Sequence, residues 1–205
     1  MIGNADAEAK IIDAIYRGAC DPVGLNRAIE LIAEYFGSPG VLLGELDQAQ
    51  PHRSFAFGVH TIDASFFTGY ARCANLDPAP RAYAAFPVGR ASLSNRMFTE
   101  HERRTSVFVN EFLLPQGLNS SLGSPLLASG GRSAMIGIFQ SASCRNYDDD
   151  DIARLERLTP HLTRALQIRR LFLQSEARGK ALESVIDRNE TGMVGLRGDG
   201  PALFV

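Results

Sequence analysis

Apolar side chains near the start of the chain recur at helical spacing. They predict a first amphipathic helix over residues 7–17, in which Ile11 and Ile15 share one face. A second helix is expected to begin at Asp21, a favoured N-cap residue. It should end before Gly37, which can adopt the left-handed conformation of a C-terminal cap. The first part of the chain is therefore predicted to be helical.

Short apolar runs separated by polar turns follow these helices. Residues 39–47 and 54–60 predict two strands, and residues 88–95 predict a short third strand. Residues 118–128 and 132–142 predict a hairpin, because the glycines between them are free to take a positive φ. Strands joined by short turns pair antiparallel, so the predicted fold class is α+β, an antiparallel sheet covered by helices.

A long helical pattern over residues 147–188 follows the hairpin. Pro160 is expected to kink or break this helix. Its apolar stripe continues beyond the length of a domain-sized helix, and an apolar stripe needs a partner, so we expect a homodimer through this helix and the first one. The stripe comprises Leu155, Leu158, Leu162, Ala165, Leu166 and Phe172, and continues toward Leu182, Val185 and Ile186.

Composition and charge narrow the range of functions. The chain has 205 residues, of which 45% are hydrophobic and 21% charged, as in a soluble globular protein. Its net charge of −2 gives no overall basic field, so we expect no DNA binding by this chain alone. Three widely spaced cysteines favour free thiols in a reducing cytoplasm. No apolar stretch approaches the roughly 20 residues that span a bilayer.

Motifs that carry catalysis or bind metals do not occur in the sequence. The four histidines lack HExxH spacing and there is no CxxC pair, so no metal site is predicted. There is no nucleophile elbow, P-loop or GxGxxG turn, so neither catalytic residues nor a cofactor is predicted. The acidic run at residues 148–151 lacks the spacing of a calcium loop and is typical of a helix start.

Aromatic residues cluster around the second strand and a third helix that is expected to start near Thr61 or Asp63. They either fill the core or line an apolar pocket for a small ligand. Asp77 lies among them, where its carboxylate would accept a hydrogen bond from a ligand amide or hydroxyl, or would cap the following helix. The aromatic residues are Phe55, Phe57, Phe66, Phe67, Tyr70, Tyr83 and Phe86.

Residues 111–139 predict the end of a helix, a glycine stop and the hairpin described above, yet they carry no obvious nucleophile or metal ligand. A regular unit without reactive groups is better suited to enclosing a ligand than to catalysis. We therefore expect this helix–hairpin unit to form the wall and floor of the pocket.

Three segments, 70–78, 111–139 and 147–166, together resemble the N-terminal sensory region of LuxR-type helix-turn-helix transcription regulators. The shared pattern is F-x-x-x-x-G-L-x-x-x-x-G-x-P-L, then a hairpin, then a helix with L-x-P-x-L-x-x-A-L. With the Asp77-Pro78 step it covers roughly half of the chain. The resemblance implies an autoinducer-binding fold, which is close to GAF and PAS domains.

The resemblance also implies two polar ligand contacts. In autoinducer-binding members an aspartate before proline contacts the ligand amide, and Asp77 matches it. Tyr70 is the candidate for a tyrosine that lines the same pocket upstream. The pockets of those members also rely on tryptophans, and this chain has none. The absence of tryptophan argues against an acyl-homoserine lactone and leaves an unknown small apolar or amphipathic ligand.

The resemblance implies that the chain is the ligand-sensing and dimerisation region of a bacterial regulator. Residues 1–146 would form the sensory domain and residues 147–188 a signalling and dimerisation helix. Residues 189–205 would begin a PAS-like segment or form a disordered tail. The DNA-binding domain would then lie outside this chain, which we expect to be part of a longer protein. The alternatives are a dimerisation module that binds no ligand, and an enzyme whose site is assembled from distant residues.

Overall fold

The chain falls into two compact units, Met1–Leu166 and Gln167–Val205. The division into three parts predicted from the sequence stays a prediction. A computed structural model describes residues 2–21, 24–47, 55–57, 72, 76–129, 131–141, 145–187, 195–196 and 202–204. The third helix expected after Thr61 or Asp63 lies outside the described residues.

Two helices open the first unit, α1 (Ile2–Gly18) and α2 (Gly24–Phe36). Gly37 ends α2 with a φ of 60°, and the backbone N–H of Ser38 donates to the carbonyl of Ala33 at 2.9 Å. This is the hydrogen bond of a left-handed helix cap, which glycine adopts without steric cost. The predicted end of the second helix is therefore confirmed.

Five strands form one antiparallel sheet, β1 (Val41–Asp47), β2 (Phe55–Phe57), β3 (Ser92–Leu93), β4 (Leu118–Ser129) and β5 (Arg132–Ser141). Their order across the sheet is β2-β1-β5-β4-β3. The long hairpin β4–β5 lies in the middle of the sheet, and β1 pairs with β5 on its other side. The predicted α+β class and the predicted hairpin are confirmed.

Within the described residues 76–117, short helices precede and follow β3. They are α3 (Ala79–Ala84), α4 (Ser94–Met97) and α5 (Glu100–Thr105), followed by a π-helical segment, Phe108–Leu113, and a 3₁₀ turn, Leu114–Gln116. Gly117 ends this connection with a φ of 75°. The short helices and turns of residues 79–91 and 94–116, on either side of β3, are called the connecting layer below.

The two faces of the sheet differ in what they contact. Along β5, burial alternates with the strand period, so Ala134, Ile136 and Ile138 are fully buried on one face. Helices α1 and α2 pack together, and α2 packs against β1. The other face presents Met135, Gly137 and Phe139, which are only partly buried, toward the connecting layer.

A long helix, α6 (Asp149–Asp187), follows β5. It does not break at Pro160, contrary to one alternative expected from the sequence. Pro160 cannot donate to the carbonyl of Glu156, but the Thr159 hydroxyl lies 3.0 Å from that carbonyl oxygen and 3.0 Å from that of Gly89, so its one proton is shared between the two acceptors. Pro160 itself is exposed, so its ring meets solvent.

The apolar residues of α6 that belong to the first unit serve that unit's own core. Leu155, Leu158, Leu162, Ala165 and Leu166 are buried, as are Ile11, Ala14 and Ile15 of α1. Tyr16 of α1 also packs edge-on against His161 of α6. These faces of both helices are occupied within one chain, which limits how a second copy could use them.

In the second unit, residues 167–187 continue α6, and two short strands pair antiparallel, β6 (Gly195–Leu196) and β7 (Ala202–Phe204). No helix within the described ranges is both long enough and apolar enough to cross a membrane.

Candidate ligand-binding cavity

A cavity lies between the sheet and the connecting layer in the first unit. The centre of a water molecule can occupy about 70 Å³ of it, and the empty space reaches about 760 Å³ only when the open solvent at its mouth is counted. Its walls are mostly apolar, which is typical of small-ligand sites. The apolar lining includes Leu42, Met135 and Phe139 from the sheet, and Pro78, Phe98, Phe108, Val109 and Leu113 from the opposite side.

The helix–hairpin unit, residues 111–139, supplies much of this lining. Leu113 comes from its helical end, and alternate residues Met135, Gly137 and Phe139 come from β5. Side chains on a strand alternate between faces, so β5 buries one apolar set in the core and presents the second set to the cavity. The unit thus forms part of the wall and floor of a cavity, as its sequence predicts.

Tyr83 is held at the side of the cavity by a close approach to β4. Its hydroxyl donates to the carbonyl of Ser92 at 3.3 Å. Its ring lies over Gly123, where a Cβ would clash with the hydroxyl oxygen and lie 2.7 Å from Cζ. Burial, reinforced by the negative charge of Asp77, raises the pKa of Tyr83 well above its usual range. The phenol therefore remains neutral, with its hydroxyl hydrogen-bonded to the backbone of β3.

Asp77 lines the same cavity and is half-buried. It stands one residue before Pro78, which occupies the N-cap position of α3 and makes no side-chain cap hydrogen bond. Asp77 and Tyr83 both line the cavity, and the negative charge of Asp77 contributes to the raised pKa of Tyr83. The structure thus brings a carboxylate and a phenol together at an apolar cavity.

The other residues predicted to bind a ligand differ in where they lie relative to the cavity. Phe86 is half-buried and packs its ring against Tyr83 at a centroid distance of 6.3 Å, beside the cavity rather than in its lining. Phe55 and Phe57 lie on β2, which pairs with β1, and their contact with a ligand stays a prediction. Tyr70, Phe66 and Phe67 lie outside the described residues, so their part in the site stays a prediction.

Arg103 is a lining residue that the sequence reasoning did not identify. It lies on α5, which begins with a capping box: Thr99 Oγ1 accepts from the backbone N–H of Glu102 at 3.2 Å, and the Glu102 carboxylate accepts from the N–H of Thr99 at 2.7 Å. The sequence Thr-Glu-His-Glu is a recognisable capping box. That motif predicts a helix start, but it does not predict that the following arginine reaches the cavity.

A polar recess adjoins the mouth of the cavity and shares Pro78, Phe98, Arg103 and Val109 with it. Arg81 and Glu102 also line this recess. An amphipathic molecule could therefore place its apolar part in the cavity and a polar end among these charged groups.

The acidic residues at the start of α6 form a structural cluster. Both carboxylate oxygens of Asp151, which is fully buried, accept from the Arg145 guanidinium, at 2.6 and 2.7 Å. Asp148 and Asp151 also accept from each other's backbone N–H groups at 3.1 Å, as in a capping box. Burial raises the pKa of Asp151, but the hydrogen bonds from Arg145 and Asp148 outweigh it, and the net pKa lies below the usual value.

Ser94, Ser120, Ser121 and Asp77 are among the polar residues that line the cavity. The Ser120 hydroxyl donates to the side-chain oxygen of Gln140, and the Ser94 hydroxyl accepts from the backbone N–H of Ser121 at 2.9 Å. No group of three or more histidine, cysteine or acidic side chains poised to hold a metal occurs among the described residues.

The sequence matches no protein-family model and no curated protein. Solved structures, however, share its fold. The VqsR LBD domain from Pseudomonas aeruginosa superposes with a TM-score of 0.60 at 10% identity, over 81% of this chain and 98% of that one. CepR2 from Burkholderia cenocepacia, an N-acylhomoserine lactone dependent LuxR family transcription factor, gives 0.60 at 15% identity, over 81% and 97%.

A GAF domain is similar as well. The phycoerythrobilin-bound GAF domain from a cyanobacterial phytochrome gives a TM-score of 0.54 at 12% identity, over 82% of this chain and 96% of that one. The chain therefore has the fold shared by the ligand-binding domains of LuxR-type regulators and by GAF domains. The fold implied by the sequence resemblance is confirmed.

Proposed function

We propose that this chain is the ligand-sensing and dimerisation region of a LuxR-type transcription regulator. The observation that carries the proposal is an apolar cavity, with Asp77 and Tyr83 at its side, on a fold shared with the VqsR LBD domain and CepR2. Fold alone does not define function, so the proposal depends on the cavity. In the same proposal, DNA binding is assigned to a separate domain and the regulator acts in the cytoplasm.

The proposed ligand is small, largely apolar and able to donate a hydrogen bond. The apolar walls favour an acyl chain or a similar apolar group. The Asp77 carboxylate is an acceptor for an amide N–H or a hydroxyl of the ligand. Tyr70, Phe55, Phe57, Phe66 and Phe67 complete the proposed set of contacts, and Phe86 supports the ring of Tyr83 from beside the cavity.

Binding would reach the long helix through β5. Phe139 lines the cavity, and its carbonyl accepts from the hydroxyl of Tyr147 at 3.2 Å, directly before α6. The same carbonyl accepts from the hydroxyl of Ser38 at 2.8 Å, which ties the end of α2 to this point. A ligand that binds two arrangements of Phe139 with different affinity would shift how α6 is presented.

The alternative is a dimerisation module whose cavity holds no ligand. Gly137 offers a way to separate the two, because a Cβ at this position would meet no atom within 4 Å. A Gly137→Met substitution would therefore introduce its Cβ without a clash and place a long apolar side chain at the floor of the cavity.

Thermal melts with added N-butyloctanamide test the proposal. This molecule has an acyl chain and one amide N–H, and a ligand that binds only the folded state raises Tm with the logarithm of its concentration. We expect such a rise for the wild type and none for Gly137→Met. An equal response of the two proteins, or none in the wild type, would contradict ligand binding in this cavity.

A further inference from the structure

Asn119 interrupts the regular pairing of β4. Leu118 pairs with Ser141 and Ser120 pairs with Gln140, so Asn119 is an extra residue in the strand, a β-bulge. Bulges redirect a side chain and are common next to functional sites. Here the redirected residue is one of those that line the cavity.

The carboxamide oxygen of Asn119 is buried and receives no hydrogen bond. An unpaired buried acceptor is costly, and native proteins contain few of them. Nearby polar groups in the lining are engaged, since the Ser120 hydroxyl contacts Gln140 and the Ser94 hydroxyl contacts the backbone of Ser121. The bulge therefore positions an acceptor that the described part of the fold leaves unpaired.

We infer that Asn119 is a specificity-determining residue, whose carboxamide binds an amide or hydroxyl group on the ligand. The terminal torsion of asparagine is broad, so the carboxamide can turn to present its oxygen to the cavity. An amide ligand group would pair with it well, because each of the two groups both donates and accepts. This inference rests on the proposed function and specifies the chemical class of its ligand as neutral amides and alcohols.

Two probes that differ in one donor test the inference. N-butyloctanamide carries an N–H where butyl octanoate carries an ester oxygen, and otherwise the molecules correspond atom for atom. Calorimetry of both probes gives the ratio of their Kd values for each protein. In Asn119→Leu, which keeps the approximate size of the side chain and removes its polar atoms, we expect the preference for the amide to fall about tenfold.

The controls separate the roles that Asn119 can have. Asn26 is exposed on α2, away from the cavity, so Asn26→Leu should keep the wild-type ratio. Asn119→Ala should lose the preference as Asn119→Leu does, and it carries the test if the leucine variant does not fold. Loss of folding in both Asn119 variants would show a structural role and overturn the inference.

The remaining outcomes distinguish the inference from the proposed function. If both probes bind and their Kd ratio is unchanged in Asn119→Leu, the inference is wrong and the proposed function stands. If neither probe binds the wild type, the inference and the proposed ligand class are both wrong.

Discussion

Tyr83 and Gly123 illustrate how single residues shape the cavity. The phenol can lie against β4 only because residue 123 has no side chain. Gly123 pairs directly with Gly137 of β5, where a Cβ would meet no atom within 4 Å. These two paired glycines therefore differ in their effect. Gly123 allows Tyr83 to approach β4 closely, and Gly137 leaves open space in the cavity.

We expect Gly123→Ala to destabilise the protein by about 1–3 kcal/mol, because the new methyl group overpacks against Tyr83. Urea-induced unfolding followed by circular dichroism gives the free energy of unfolding. Gly137→Ala is the matched control and should leave stability unchanged or slightly higher, since its methyl group enters open space. Equal losses in the two variants would show that the contact with Tyr83 is not the cause.

The first turn of α6 depends on a buried carboxylate, that of Asp151. Asp151 has no exposed surface and is paired with Arg145, whereas the nearby pair of Arg96 and Asp149 has both side chains at least half exposed. Buried charges without partners are costly, and exposed ion pairs contribute little. The two arginines should therefore differ greatly in their importance.

We expect Arg145→Gln to lower the free energy of unfolding by about 2 kcal/mol near neutral pH, with Arg96→Gln lowering it by less than about 1 kcal/mol. Because the pKa of Asp151 is depressed in the fold, its pairing stabilises fully above the usual carboxyl pKa of 3.8. That contribution is lost as pH falls through the depressed value. The difference between wild type and Arg145→Gln should thus shrink with acidification, measured by urea unfolding at several pH values. A difference that is constant with pH would exclude the carboxylate as its origin.

Elements whose boundaries are set by residues close together in the sequence could be predicted from it. Gly37 ends α2, and the hairpin β4–β5 forms around its glycine turn, because both depend on near neighbours in the chain. The bulge at Asn119 and the position of Arg103 could not be predicted. Each depends on how β4 and α5 pack against distant residues, which no local spacing encodes.

The same limit applies to the apolar stripe of α6. The sequence shows one continuous stripe, but the structure buries Leu155 to Leu166 inside the first unit. Leu171, Phe172, Leu173 and Leu182 are exposed on the part of α6 that belongs to the second unit. Periodicity identifies an apolar face, but it does not show whether the same chain or a second copy covers that face.

At the scale of the whole molecule, we expect a dimer that uses this exposed part of α6. Leu182→Glu should raise the dimer dissociation constant at least tenfold, because it places a charge in an apolar contact. Ser184→Glu is the control, since two helical positions further on it lies on the opposite side of the helix and is exposed. Sedimentation equilibrium measures both constants. A wild-type monomer at tens of micromolar would contradict the expected dimer.

In the proposed function, the cavity between the sheet and the connecting layer holds a small molecule. Native mass spectrometry of the protein purified from its own source tests this most directly, with Gly137→Met purified in the same way. We expect the wild type to retain a molecule that denaturation releases, and the variant to carry none. Bare protein masses for both, or the same retained molecule in both, would contradict a ligand site in this cavity.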